Sequence, residues 1–163
     1  MKVLHRITNG HVLVLNFGIW FNVKQLRLLN MHMRQMAKRL AAIKRKKPGF
    51  KIVWMDSVAQ HFCATGGVFH STFDKRAVNK GCCMPKNNMF NTFRQDSANI
   101  WMFQSNPGMV DAHIDLFNLT VPLVKEHPGG GDCTHYCSNV NGPVQFLAIK
   151  FMEALQDIYR ADI

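Results

Sequence analysis

A chain of 163 residues, 47% of them hydrophobic, can build one domain with a packed core or a large piece of a bigger domain. It has no apolar run long enough to span a membrane, and its first residues lack the apolar segment of a signal peptide, so any targeting segment is expected upstream of Met1. The net charge of +10 invites a polyanion, yet neither zinc-finger spacing nor an aromatic RNA-binding signature accompanies it, and nucleic acid is not an expected partner.

The first element in chain order is a strand, His11 to Leu15, an apolar run of the buried parallel-sheet kind that ends at the turn Asn16-Phe17-Gly18. A helix is predicted from Val23 to Lys47, with Leu26, Leu29, Met33, Met36, Leu40 and Ile43 on its apolar stripe. Its end carries Lys44-Arg45-Lys46-Lys47. Cations there complement the helix dipole or form a solvated face, and they also fit an acidic glycan. Pro48-Gly49 stops the helix, and a second buried strand runs from Phe50 to Met55. Strand, helix and strand make a βαβ unit with parallel strands. From Asp56 to Asn88 the pattern is that of a long functional loop. A helix over Met89 to Gln104 and a short strand over Val110 to Leu116 follow. After the glycine loop 129–131 come Asp132-Cys133-Thr134-His135-Tyr136-Cys137 and a closing helix with Val144, Leu147, Phe151, Leu155 and Ile158 on its buried stripe.

Asp132-x-x-His135 is the sharpest constellation. A serine hydrolase needs an imidazole to take the nucleophile's proton and a carboxylate to hold the other ring nitrogen. Three residues of spacing let one loop deliver both. The odd set Cys63, Cys82, Cys83, Cys133 and Cys137 fits an oxidised protein in which one cysteine stays free or pairs outside the chain, and the sequon Asn118-Leu119-Thr120 agrees with a secretory route. Bracing of the Asp132–His135 loop requires Cys133 or Cys137 within about 7 Å, Cα to Cα, of Cys63, Cys82 or Cys83.

The run Asp132 to Cys137 resembles the D-C-x-H-W-C motif of the trichome-birefringence-like and PC-esterase families, which are SGNH-type acyl esterases and O-acyltransferases. Val12 to Trp20 is similar to the strand-plus-NTGHWW segment of those families, and Trp54 to Gly67, with Gln60-His61-Phe62 and Gly66-Gly67, to their histidine-phenylalanine block. The likeness runs from about Gly10 to Ile158 and is strongest at the last motif. It implies a three-layer α/β fold with a parallel sheet, incomplete here, so that residues 1–163 form the C-terminal part of one SGNH-like catalytic domain. It implies Asp132 as orienter and His135 as base, with no cofactor or metal. Asn16 and Gly18 become candidates for the oxyanion region, although Asn16 also reads as an ordinary turn asparagine. His61 is a candidate to touch substrate or line the cleft, beside the plainer reading of a surface or packing residue. Tyr136 stands where the families carry tryptophan, and Ile19 where they carry histidine.

The families' nucleophile lies on a GDS segment before the first strand. No serine precedes Val12, so the nucleophile is expected upstream, with Met55-Asp56-Ser57 as a poorer substitute. The implied substrate is an acyl ester, foremost an acetyl ester, on a glycan or polysaccharide, met in the Golgi lumen or outside the cell. The loop is expected beyond the carboxyl end of the first strand, with an open cavity beside it. Two other readings stay open. Cys133-x-His135-x-Cys137 with Cys82-Cys83 supplies ligands of the kind a structural zinc takes, and the motif also suits an inactive, disulfide-braced relative. His70, His113 and His127 carry no comparable catalytic pattern.

Overall fold

The computed structural model describes residues 6–62, 83, 92–128, 132–137 and 142–160. Cys63, Cys82, His70, the Gly66-Gly67 pair and the glycine loop 129–131 lie outside them. Three strands, β1 (Val12–Leu15), β2 (Lys51–Met55) and β3 (Ala112–Ile114), form one parallel sheet in the order β1-β2-β3. Helix α1 (Leu26–Lys46) is the crossover between β1 and β2, entered through a single 3-10 turn at Val23–Gln25. It contains neither glycine nor proline. It ends where the ring of Pro48 disfavours helical backbone at the residue before it.

Each strand's alternation sorts its side chains onto two faces. Leu13, Leu15, Ile52 and Trp54 pack with Leu29, Met33, Ala37 and Leu40 of α1 and with Met102. Burial of a large side chain such as Trp54 or Leu29 contributes about 1.5–3 kcal/mol each. Val12, Val53, Met55, Ala112 and Ile114 face the other way, against Leu147, Phe151, Leu155 and Ile158 of the closing helix. Helices therefore cover both faces, and the layers run helix, sheet, helix. The Val12–Leu15 and Ile52–Met55 segments are parallel neighbours, with Leu13 opposite Ile52 and Leu15 opposite Trp54.

Two stretches depart from the sequence reading. The helix expected from Met89 to Gln104 is, in its described part, α2 (Phe93–Ala98), which continues as a π-helical turn over Asn99–Gln104. The strand expected to reach Leu116 stops at Ile114, and α3 (Leu116–Thr120) begins at once. Asp115 causes the switch: its carboxylate accepts the Asn118 N–H at 3.0 Å and caps the new helix. The closing helix, α4, spans Pro143–Arg160 and opens with proline at its first position.

Candidate active site

The carboxyl ends of β1 and β2 lie side by side, and the Asn16 amide ties them, donating to the carbonyls of Met55 at 3.2 Å and Asp56 at 2.8 Å. From Asp56 the chain runs to His61, and that segment receives the Asp132–Cys137 loop. The His61 N–H donates to the Cys133 carbonyl at 2.9 Å, the Gln60 amide to the Thr134 hydroxyl at 3.0 Å, and the Tyr136 hydroxyl to the Ala59 carbonyl at 2.8 Å. The loop thus sits on backbone leaving the carboxyl edge of the sheet, where open α/β sheets place their ligands. A disulfide joins Cys133 to Cys83, with Cα atoms 5.4 Å apart, which meets the bracing expectation. Cys83 also pairs by backbone with Phe62. Cys137 forms no disulfide with a described cysteine.

Within the loop one carboxylate sets the geometry. Asp132 Oδ1 accepts the backbone N–H groups of Thr134 and His135, each at 3.0 Å. Its Oδ2 meets His135 Nδ1 at 2.8 Å. A carboxylate at that distance holds the proton on Nδ1, so Nε2 presents its lone pair outward from a side chain that is 67% exposed. Partial burial pushes the Asp132 carboxyl up, but the N–H groups of His135 and Thr134 and the His135 ring outweigh it and bring it down to about 2. The carboxylate is therefore charged wherever the imidazole is neutral enough to act as a base.

Other sequence candidates take different places. Both N–H bonds of the Asn16 amide go to backbone carbonyls, so an oxyanion role for this side chain would require giving them up. Gly18 has φ +113, a conformation that favours glycine, and a Cβ there would lie 3.4 Å from Leu29 Cδ1. It closes the turn under α1. His61 is fully buried, bonded to the Val121 carbonyl and to His127, so it backs the loop and does not line a cleft. Ser57 is also buried, with its hydroxyl 3.5 Å from the Phe17 carbonyl, a poor posture for a nucleophile. Tyr136 is pushed up to about 12 by burial, against the opposing bond to Thr120, and stays neutral. A cleft of about 430 Å³ runs along α1 beside Arg34, Lys38 and Trp101.

Two side chains to which the sequence reading gave no role, Arg94 and Asp56, cross-link the backbone around the site. Arg94 donates from Nη2 to the Phe21 carbonyl at 2.7 Å and to Gln60 Oε1 at 3.1 Å, and Gln60 passes the chain of bonds on to Thr134. Burial brings the Arg94 guanidinium down to about 10, still protonated at neutral pH. Asp56 accepts from the Trp54 indole at 2.9 Å and meets His113 Nε2 at 2.9 Å; that hydrogen bond raises the His113 pKa. The carboxyl edge is thus cross-linked by polar side chains that make no visible pattern in sequence. Compared with protein-family models, curated proteins and solved structures, the chain shows no significant match.

Proposed function

We propose that this chain is the C-terminal part of an SGNH-type serine acyl-ester hydrolase or polysaccharide O-acetyltransferase, contributing the base and orienter of the triad. The Asp132–His135 hydrogen bond at 2.8 Å carries the reading, because it fixes the tautomer that leaves Nε2 free to take a hydroxyl proton. The nucleophilic serine belongs to residues N-terminal to β1 in the full-length protein. There it would attack an acyl, foremost acetyl, ester on a glycan. His135 would take the serine proton and then return it to the departing sugar oxygen, and water or a second sugar hydroxyl would accept the acyl group from the enzyme. The Cys83–Cys133 disulfide agrees with an oxidising compartment, the Golgi lumen or the extracellular space. It also weighs against the zinc reading, since the Cys133 sulfur is already bonded to carbon and sulfur and is not a thiolate.

The test uses the full-length protein, an acetylated polysaccharide and a fluorophosphonate probe. The expected result is acetate release or transfer, with one serine labelled, and loss of turnover in His135→Ala while the circular dichroism spectrum is retained. Wild-type protein that neither labels nor turns over any acyl ester, or His135→Ala protein that keeps wild-type turnover, overturns the proposal.

A further inference from the structure

Behind the Asp132–His135 loop lies a pair of imidazoles that triad chemistry leaves unused. His61 is 0% and His127 9% exposed, and their rings meet edge to face with centroids 4.9 Å apart. Three links run through them in series. His61 Nε2 lies 2.9 Å from the Val121 carbonyl, His61 Nδ1 lies 2.7 Å from His127 Nε2, and His127 Nδ1 lies 2.5 Å from the His135 carbonyl.

Carbonyl oxygens only accept, so both outer ring nitrogens must carry a proton. The central contact between two nitrogens needs a proton as well. That makes three protons on two rings, one more than two neutral imidazoles hold. We propose that His61 and His127 form a buried imidazole–imidazolium pair whose extra proton seats the His135 backbone, making His127 a positioning residue of the Asp132–His135 loop. His61 is the neutral partner: burial lowers its pKa foremost, the bond to Val121 opposes this, and the charge on His127 lowers it further. His127 then holds both N–H groups, one donated to His61 and one to His135.

The Tyr136 ring stacks 4.4 Å from His127, and its hydroxyl lies 3.5 Å from His61 Nδ1 while donating to Ala59. The Asp132 carboxylate is turned to Thr134 and His135. Glu126, just before His127, brings a carboxylate on the same segment, and its carbonyl accepts the Cys137 N–H; Lys125 and the half-buried Cys137 thiol lie on these segments too. Among the described residues His127 forms no ion pair with a carboxylate. The sign follows from the proton count. The extra proton is bound at low pH, and as pH rises through the pair's shared apparent pKa one of the three links loses its proton and the loop loosens. None of this depends on the loop doing ester chemistry.

The test is a nitrogen-15 histidine titration of the full chain between about pH 5.5 and 8, the range in which imidazoles change charge. At the low end, His127 should show both nitrogens protonated and His61 the Nε2–H tautomer. At the high end the extra proton should be gone, and the exchange protection of the Thr134 and His135 amides should have fallen by about tenfold or more. In His127→Gln, which offers an amide donor but no titrating proton, that protection should no longer depend on pH. Reading the assigned His61 and His127 nitrogens separates the event from the exposed His135 ring. Should His127→Gln fail to fold, the wild-type titration decides alone. Two neutral rings across the whole range, or a titrating pair that leaves amide protection unchanged, overturns the proposal.

Discussion

Asp132 is the residue on which the loop turns, because one carboxylate accepts two backbone N–H groups and a ring N–H at once. Asp132→Asn keeps the size but presents an amide N–H to His135, which favours the opposite tautomer and turns Nε2 into a donor. Turnover in the full-length enzyme should fall by about 10⁴-fold, with the loop still folded, as measured by acetate release and amide exchange. The pH dependence follows from the same bonds. A carboxyl lowered from 3.8 to about 2 contributes stability that is complete above 3.8 and is lost as pH falls toward 2. The Thr134 and His135 amide signals should therefore shift together as pH falls below about 4, a step separate from any change in the imidazole range, and signals that hold steady down to about pH 2 would contradict the assignment. This pair was legible in sequence because its members stand three residues apart in one turn. Arg94 and Gln60, 34 residues apart, and His61 and His127, 66 residues apart, were not. They meet only after the sheet has formed, and a lone arginine, glutamine or histidine carries no period.

Among the elements, β1, α1 and β2 are the ones whose patterns decide their state: the apolar runs Val12–Leu15 and Ile52–Met55 for the strands, and apolar residues at steps of three and four for the helix. β3 has only three residues, and the continuous pattern from Val110 to Leu116 conceals the cap at Asp115 that ends it. The loop after β2 holds no period in its sequence, and a disulfide ties its Cys83 to the Asp132–Cys137 loop. Cys83 and Cys133 close a loop of sequence separation 50, which by chain entropy corresponds to about 4 kcal/mol of stability. Cys133→Ser, or reduction of the native protein, should lower unfolding free energy by about 2–4 kcal/mol in urea titration. It should also speed amide exchange at Thr134 and His135 more than in β2. Equal stability with and without reductant would show that the loop is held by its hydrogen bonds alone.

Across the whole molecule the two faces of the sheet are not equally held. The α1 face buries Leu29, Met33, Ala37 and Leu40 along one helix, together with Phe50, Ile52 and Trp54. The opposite face is covered by α4, which buries only Pro143 and Ile158 completely and leaves Phe146, Ile149, Met152 and Tyr159 exposed. Local opening free energy follows buried apolar contact, so α4 should open while the sheet and α1 stay folded. In hydrogen exchange the central amides of α4 should exchange faster than those of α1 by about two orders of magnitude. Ile158→Ala, which removes a buried anchor at a cost of about 2–5 kcal/mol, should draw its effect mainly from α4 and β3 and leave the Leu29–Leu40 segment protected. A single exchange rate shared by α1 and α4, shifted equally by Ile158→Ala, would mean that both faces belong to one cooperative unit. In that case an opening at α4 could not occur without disturbing the β2 end on which the Asp132–His135 loop rests, and loop and helix would lose protection together.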